Sequence, residues 1–311
     1  MMVVVDVDVM LSQGNAQLLV TQPLLKAVEI RMLSMVQQKS APLTSRQSIA
    51  EQAAAYHLQT GGQRIRARLA IQAGMALKLS VDDVVSIAAT SELVHNASLV
   101  HDDLQDRDTV RHGVATVWSA YGDGIAICAG DLLLSAAYGA LASVSQTHWL
   151  PTLMSILHHR ILDASNGQCA DLTNEKSRNF SLADYENLAM LKSGAFLALP
   201  MELTLAAGGD LQAACTARCA AQSFAIGYQI FDDLNDVQKD VCRHSPQPAL
   251  NAVAVMQASA PGSNAKAMAR ELAIKHLTAA AASSLLLPHQ CGQLLHQLAL
   301  DLTARISSIT S

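Results

Sequence analysis

Aromatic residues are scarce in this chain. They make up 4% of its 311 residues, whereas apolar residues as a whole make up 50%. β-sheets draw on aromatic and β-branched side chains, while Ala and Leu, which are abundant here, favour helices. The composition therefore disfavours a β-rich fold and predicts an all-α protein whose helices pack on one another.

Long runs of one charge are also lacking. Charged residues make up 15% of the chain, the net charge is −5 at pH 7, and Lys and Arg form no run. Without a basic patch there is no broad attraction for a phosphate backbone, so we expect no binding of nucleic acid. The six cysteines include no CxxC pair, and we expect most of them to be small core residues in a reducing compartment.

Uninterrupted apolar segments are short. The mean hydropathy is +0.23, yet no stretch reaches the roughly 20 apolar residues that span a bilayer, so we expect no membrane span. The start of the chain has no basic region and is interrupted by Asp6 and Asp8, which is unlike a signal peptide and predicts a cytoplasmic protein. Its VVVDVDV run predicts either a disordered tail over 1–12 or a short edge contact.

Helical periodicity is present along nearly the whole chain, interrupted by clusters of Gly, Pro and Ser. With neither an internal repeat nor a low-complexity linker, we expect a single domain over 1–311. The predicted helices are near 15–38, 46–58, 64–77, 81–106, 123–144, 148–173, 182–207, 211–240, 263–285 and 288–308.

The first acidic motif is HDDLQD at 101–106. Asp102 and Asp106 are four residues apart and share one helical face, so their carboxylates can converge on one cation, with Asp103 between them. A solvated acidic helix end would show the same residues. The segment before the motif is apolar, however, and this places the acids toward the interior.

The second acidic motif, YQIFDDLND, follows at 228–236 and carries Asp232, Asp233 and Asp236. Buried carboxylates without partners cost several kcal/mol each, and neither motif contains a Lys or Arg. Shared divalent cations would neutralise them. Ligand sets made only of oxygen select a hard metal, and Mg²⁺ leaves coordination positions for water and phosphate oxygens. The pair of motifs therefore predicts a magnesium site for a phosphorylated ligand.

Two further patterns bear on the ligand. A ferritin-like carboxylate bundle needs two Glu-x-x-His helices, and the chain has one such pair, Glu92 with His95. Gly61 and Gly62 precede a helix with arginines in its first turns, and free backbone N–H groups and guanidinium groups both suit phosphate. The second pattern adds to the prediction of a phosphorylated ligand.

These motifs resemble the trans-isoprenyl diphosphate synthases, or polyprenyl synthetases, over about residues 55–255. The landmarks occur in order: GGQRIRAR, ELVHNASLVHDDLQD, VRHG, AGDLL, GQCADL, LKSGA and YQIFDDLND. The resemblance implies a homodimeric all-α bundle in which two facing helices carry the aspartate motifs around a central cavity. It also implies a prenyltransferase that joins isopentenyl diphosphate to an allylic diphosphate.

The resemblance assigns roles by position. Asp102, Asp103, Asp106, Asp232, Asp233 and Asp236 would hold Mg²⁺ ions, about three per active site, on the allylic diphosphate. Arg111, Lys192, Gln229 and Lys239 would contact that diphosphate or its ions. Arg66 and His95, with Gly62 nearby, would lie at the isopentenyl diphosphate site. Loss of diphosphate would leave an allylic cation, which the isopentenyl double bond attacks before a proton leaves to the departed diphosphate.

Three positions depart from the family pattern. Gln63 replaces the lysine of GGKR, and His112 replaces the second arginine of RRG, so two fixed charges are lost from the isopentenyl site. Ser193 replaces a threonine and keeps the hydroxyl. His112 can become cationic and Gln63 can donate hydrogen bonds, so we expect weaker or altered catalysis.

Product length in this family depends on bulk beneath the first motif. Ala97 and Ser98, five and four residues before Asp102, are small, which favours a C20 product, with C15 next. Two alternatives stay open. The weakened isopentenyl site would suit a terpene-synthase-like enzyme that ionises the allylic diphosphate without elongation. A non-catalytic partner subunit is the other, although such a subunit has no need of intact aspartates.

Overall fold

A computed structural model describes residues 15–37, 48–174, 180–240 and 251–308. Helices dominate it, which confirms the predicted all-α class. The predicted tail over 1–12 lies outside the described residues. Side-chain surroundings are described over 21–37, 48–173, 180–235 and 251–308.

Of the described residues, those up to 155 and residues 203–209 form the first of two compact units. A two-stranded antiparallel hairpin, β1 (Val110–Arg111) and β2 (Val114–Ala115), pairs Arg111 with Val114. The helices of this unit are α1 (Asn15–Val36), α2 (Ile49–Gln59), α3 (Ile65–Ala76), α4 (Val81–Gln105), α5 (Val117–Tyr121) and α6 (Asp123–Leu141).

Helix α4 is the core of this unit and packs against α1, α3 and α6. Ile87 and Leu93 on it are fully buried, as expected of a helix that neighbours cover on several sides. Its start is fixed by Ser80, whose Oγ accepts from Asp83 N at 3.1 Å. The Asp83 carboxylate in turn accepts from Ser145 N at 2.6 Å. Because α4 is fixed at its start and packed along its length, its last turn holds the first aspartate motif at a defined position.

The second unit comprises the described residues within 156–202 and from 210 onward. In it α10 packs against α12, and Gly227 makes this approach possible, because a Cβ there would lie 2.7 Å from Leu277 Cγ. The remaining helices are α7 (Leu150–Asn174), α8 (Leu182–Ala189), a π-helix (Met190–Gly194), α9 (Ala195–Ala207), α10 (Leu211–Asp240), α11 (Ala252–Ser259), α12 (Ala265–Leu285) and α13 (Gln293–Ser308), with 3₁₀ turns at Thr147–Trp149 and Pro288–Gln290.

The sequence located the long helices to within a few residues but missed short elements: the hairpin, α5, α11 and the π-helix, which interrupts the predicted helix at 182–207. The prediction of mostly buried cysteines was wrong. Of the described cysteines Cys291 is buried, and the others are exposed: Cys128, Cys169, Cys215 and Cys219. They lie on helix faces that the described side chains leave uncovered, where a small residue meets no packing demand.

Two segments, Asp123–Leu141 and Leu182–Ala207, are long and apolar enough to cross a bilayer by length and composition. The protein buries 44% of the apolar window in the first and 72% in the second. Core helices pass the same test, so these segments are weak support for a membrane span. The absence of a span and the single domain over 1–311 stay predictions.

Candidate active site

The first aspartate motif lies at the C-terminal end of α4, in the first unit. Asp106 follows the last helical residue, and its N–H donates to Asp102 O at 2.8 Å. Asp102 is half-buried and Asp106 is exposed. One further turn of helix separates the two acids, so they share a face as predicted.

Asp103, between them, has a protein partner. Arg111 Nε donates to both its carboxylate oxygens, at 2.9 and 3.0 Å, and Arg111 Nη2 donates to Oδ1 at 2.6 Å. Asp103 is 1% exposed, and burial raises its pKa, while Arg111 opposes the rise. The β1–β2 hairpin delivers the guanidinium, since His112 and Gly113 form its turn with positive φ angles. Asp103 is therefore an anchor for this hairpin, and its predicted role as a metal ligand stays a prediction.

The predicted isopentenyl residues form a cluster of arginines and uncharged histidines in the same unit. Burial, followed by the charges of Arg66 and Arg111, holds the pKa of His95 well below its usual value. Burial, followed by Arg111, also lowers the pKa of His112. Protonation of His112 is thus disfavoured without an anion, contrary to the idea that it restores the missing charge. His95 thus lies within electrostatic reach of Arg66 and Arg111, and His112 within reach of Arg111. The assignment of Arg66, His95 and His112 to isopentenyl diphosphate stays a prediction.

His57 belongs to this cluster, and the sequence did not reveal it. It is 4% exposed on α2, and burial, followed by the charges of Arg111 and Arg64, lowers its pKa to about 3. Its position inside an alanine-rich helix is what a packed core histidine also shows. No spacing in the sequence could have distinguished the two.

Glu92 has a structural role that argues against the ferritin-like alternative. It is 3% exposed, and its Oε1 accepts from Ala67 N at 3.0 Å near the start of α3. Its other oxygen lies 3.8 Å from Arg64 Nη1. The carboxylate of the single Glu-x-x-His pair therefore stabilises a helix start and an arginine.

The second aspartate motif lies on α10, in the second unit, and its Asp233 is again held by protein donors. Tyr185 Oη donates to Oδ2 at 2.7 Å, Ala252 N donates to the same oxygen at 2.7 Å, and Gln229 Nε2 donates to Oδ1 at 3.2 Å. Burial nevertheless raises the pKa of Asp233 to about 6. Asp232 beside it is 5% exposed. The side chains of Asp236 and Lys239, farther along α10, lie outside the described ones.

Lys192 lies in the π-helix of the second unit and forms an ion pair with Asp171 on α7. Gly167 permits this arrangement, because a Cβ there would lie 2.7 Å from Lys192 N. Ser193 beside it is half-buried. Asp171 was missed as a functional candidate, although it stands in the GQCADL landmark.

The predicted chain-length positions lie on α4, one turn before the first motif. Ala97 is 3% exposed. Ser98 is half-buried, and its hydroxyl donates to His95 O at 2.8 Å, within its own helix. Both small residues are thus placed in the unit's interior or at its edge.

A resident metal would need more than this protein's carboxylates. Among the described side chains, no group of three or more His, Cys, Asp and Glu converges well enough to hold an ion. Mg²⁺ commonly takes one or two carboxylates and completes its six positions with water and substrate phosphate oxygens. Two acids per motif with oxygen-only ligands fit that mode of binding, in which the ion arrives with a phosphorylated ligand.

The sequence of the chain is similar to those of known proteins. Residues 47–245 match the sequence model of the family described as polyprenyl synthetase. A short chain isoprenyl diphosphate synthase from Methanocaldococcus jannaschii is 32% identical over 189 residues, covering 59% of this chain and 56% of that protein. A geranylgeranyl diphosphate synthase from Methanosarcina mazei is 29% identical over 187 residues, covering 60% and 58%. The chain thus matches little more than half the length of these relatives.

The fold is similar to that of solved structures as well. A geranylgeranyl pyrophosphate synthetase from Geoglobus acetivorans aligns with a TM-score of 0.78, over 91% of this chain and 99% of that one. The sequence identity is 22%, so this likeness concerns the fold.

Proposed function

The chain belongs to the polyprenyl synthetase family, and from this premise we propose that it is a Mg²⁺-dependent prenyltransferase. It condenses isopentenyl diphosphate with an allylic diphosphate to give a short-chain polyprenyl diphosphate, geranylgeranyl (C20) before farnesyl (C15). The names of the relatives, which are short chain isoprenyl and geranylgeranyl diphosphate synthases, support this choice of reaction.

One observation carries the proposal: both motifs use their second aspartate as an anchor. Arg111 holds Asp103, and Tyr185 with Ala252 N holds Asp233. The neighbouring Asp102 and Asp232 are thereby positioned by a rigid backbone, as metal ligands must be. Asp106 and Asp236, together with the anchoring Asp103 and Asp233, complete the proposed ligand set. Bound Mg²⁺ would neutralise the charge that develops on the departing diphosphate.

Cationic residues would bind the substrates. Lys192, oriented by Asp171, and Arg111 would contact the allylic diphosphate, together with Gln229, Ser193 and Lys239. Arg66 and His95 would lie at the isopentenyl diphosphate, beside Gly62, Gln63 and His112. Arg66 is 9% exposed, so its fixed charge would act where water screens it little.

The test is a product assay with purified protein. It is incubated with Mg²⁺, labelled isopentenyl diphosphate and either dimethylallyl, geranyl or farnesyl diphosphate, and the products are identified by mass spectrometry. Label in a longer diphosphate, abolished by chelation of Mg²⁺, is the expected result and gives the chain length. An inactive protein with every starter would contradict the proposal and favour a partner subunit.

A second candidate has one specific observation in its favour. Gln63 is uncharged and the pKa of His112 is lowered, so the isopentenyl site lacks two of the family's charges. The second candidate is a terpene-synthase-like enzyme, which would release diphosphate from the allylic substrate and form hydrocarbon or alcohol without incorporating label.

We also propose a cytoplasmic homodimer that binds neither nucleic acid nor membrane. Helix α6 is apolar along its length, yet 44% of its apolar window is buried, and Ile127 on it is 49% exposed. An apolar helix that is left largely uncovered suits a subunit interface. Light scattering after size-exclusion chromatography should give twice the mass of the chain. A monomeric mass would contradict the proposed homodimer but not the proposed reaction.

A further inference from the structure

Two exposed cysteines lie on one face of α10, in the second unit. Cys215 and Cys219 are four residues apart, and side chains at this spacing on a helix lie one above the other. Of the other described cysteines in this unit, Cys169 is exposed on α7 and Cys291 is buried. We call Cys215 and Cys219, which share one helix face, the thiol pair.

Arg218 brings a positive charge to the thiol pair. It directly precedes Cys219, and its Nη2 lies 4.0 Å from Cys215 Sγ. Its Nη1 lies 3.6 Å from Oε1 of Glu202 on α9. The contact with Glu202 is longer than the roughly 3 Å of an ordinary N–H···O hydrogen bond, and sulfur is a weak acceptor. Arg218 is therefore held tightly by neither group and can turn from one to the other.

Glu202 does not depend on Arg218 alone. This acid is 3% exposed, and its Oε2 lies 3.5 Å from Nε of Arg160 on α7. Arg160 is itself buried and also pairs with Asp163 at 2.9 Å. A cation thus stays beside Glu202 when Arg218 turns toward the sulfur atoms. The turn therefore avoids the high cost of leaving a buried carboxylate unpaired.

The chemistry of the thiol pair selects a soft cation. Thiolate ligands favour Cu(I), Zn²⁺ and iron–sulfur clusters. Zn²⁺ sites and iron–sulfur clusters take about three or four protein ligands, and among the described side chains no group of three His, Cys, Asp or Glu converges on one point. Cu(I) differs, because two sulfur ligands placed on opposite sides of the ion can satisfy it.

Charge balance favours the same ion. On binding, each thiol releases its proton to the solvent and each sulfur donates an electron pair to the metal, while copper stays Cu(I). Two thiolates and one Cu(I) carry a single net negative charge. The guanidinium of Arg218 lies where it can neutralise that charge, and it is a partner of this kind beyond the ligands that holds a metal site in place.

We propose that Cys215 and Cys219 bind Cu(I) through their two thiolates and that Arg218 turns from Glu202 to the complex. The site is separate from the proposed active site, since Cys219 lies thirteen residues before Asp232 on the same helix, which is about 20 Å along its axis. Binding of Cu(I) therefore neither requires nor supports the proposed reaction.

Competition with the chromophoric chelator bicinchoninate, without oxygen, measures the affinity of the full chain for Cu(I). Cys215→Ser and Cys219→Ser should each weaken binding about 100-fold or more, since losing only a partner of the ligands costs about 10–100-fold. Arg218→Gln should weaken it about tenfold, and Arg218→Lys, which keeps the charge, should weaken it less. Cys169→Ser is the matched control, because it makes the same change at an exposed cysteine and should leave the affinity unchanged.

A further variant tests the competition for Arg218. Glu202→Gln removes the negative charge that draws the guanidinium away from sulfur, so it should strengthen binding of Cu(I). X-ray absorption at the copper edge should show two sulfur ligands. These two results would support the thiol pair with Arg218 as the complete site.

Three outcomes would overturn the inference. Equal losses of affinity for Cys169→Ser and Cys215→Ser would mean that any exposed thiol binds the ion. Unchanged affinity in Cys219→Ser, with circular dichroism showing an intact fold, would mean that the pair does not act together. Tighter binding of Zn²⁺ than of Cu(I) would show that further ligands complete a different site.

Discussion

Tyr185 donates its hydroxyl hydrogen to Asp233 Oδ2 over 2.7 Å. The same oxygen accepts from Ala252 N, so Asp233 ties α8 and the start of α11 to the second aspartate motif on α10. Burial raises the pKa of Asp233 to about 6 in spite of these donors. The carboxyl that holds the motif in place therefore keeps its proton to a higher pH than an ordinary aspartate does.

This pKa predicts a pH-dependent stability. The folded value lies above the ordinary 3.8, so the native state binds a proton that the unfolded chain has released. The stabilisation from this carboxyl is fully present below about pH 4 and is lost as the pH rises through about 6, which amounts to about 3 kcal/mol. In urea unfolding without Mg²⁺, wild type should lose stability relative to Asp233→Asn across this window.

A second variant sharpens the test. The hydrogen bond from Tyr185 lowers the pKa of Asp233, so Tyr185→Phe should move the loss of stability to higher pH. If the pH profiles of wild type and Asp233→Asn run parallel between about pH 4 and 6, the carboxyl does not titrate there.

The Asp103–Arg111 pair should contribute strongly to stability. Arg111→Gln leaves a carboxylate that is 1% exposed without its cation, which should cost about 3–5 kcal/mol. Combining it with Asp103→Asn should recover part of that loss. Arg107→Gln is the control, because Arg107 also donates to both carboxylate oxygens of an aspartate, Asp123. Both of these side chains are more than half exposed, so the variant should lose less than about 1 kcal/mol of stability.

Chemical denaturation of the wild type, Arg111→Gln, Asp103→Asn and the double variant measures the coupling energy between Arg111 and Asp103. Equal losses for Arg111→Gln and Arg107→Gln would mean that burial of Asp103 does not matter. Recovery in the double variant would show that the unpaired charge, rather than lost packing, causes the destabilisation.

Helical spacing sufficed to predict the two motifs but not their anchors. Asp102 and Asp106 share a face because residues four apart on any helix do so. The partners of Asp233 come from separate elements, Tyr185 48 residues before it and Ala252 19 residues after it. No local periodicity encodes such pairings, which arise from packing.

The π-helix illustrates the same limit. The apolar pattern predicts one helix over 182–207, and the structure has a helical segment there, but residues 190–194 are wound as a π-helix that carries Lys192. In this π-helix the backbone at Lys192 lies close to Gly167 on α7. A glycine inside a helical pattern indicates that another part of the chain packs close to the helix, but it does not identify that part.

Gly167→Ala should therefore disturb the site. The new Cβ would lie 2.7 Å from Lys192 N and 3.0 Å from Leu191 C. These are backbone atoms, which cannot rotate away as a side chain can, so we expect the free energy of unfolding to fall by about 1–3 kcal/mol. We also expect weaker binding of the allylic diphosphate. Gly139→Ala is matched, since it makes the same change inside α6 with Met35 Sδ 3.8 Å away; it should stabilise by about 0.5–1 kcal/mol. Thermal unfolding and the Michaelis constant report the two effects, and equal stabilities would contradict the close approach.

Removing a proposed metal ligand should abolish turnover without unfolding the protein. Asp102→Ala and Asp232→Ala should each lower kcat by about two orders of magnitude or more, because stabilisation of the leaving diphosphate is lost. Asp82→Ala, at the exposed start of the same helix α4 as Asp102, should keep the wild-type rate. Near-wild-type turnover in either motif variant, measured by release of diphosphate, would remove that motif from the mechanism.

Product length should respond to bulk at Ala97. This residue is 3% exposed one turn before the first motif. A phenyl ring there would fill any tunnel that passes beneath Asp102, so Ala97→Phe should shift the products toward C15 and shorter. Ser98→Phe is the companion variant, because neighbouring residues on a helix point about 100° apart.

Stability separates a tunnel from ordinary core packing. If Ala97 faces a tunnel, the ring enters free space, and the melting temperature should change little. If Ala97 packs against other side chains, the ring must displace them, at a loss of about 1–3 kcal/mol, and the product distribution should stay as it is. Mass spectrometry of the products together with thermal unfolding of both variants therefore decides which face of α4 the growing chain contacts, and an unchanged distribution with a lowered melting temperature would exclude Ala97 from that role.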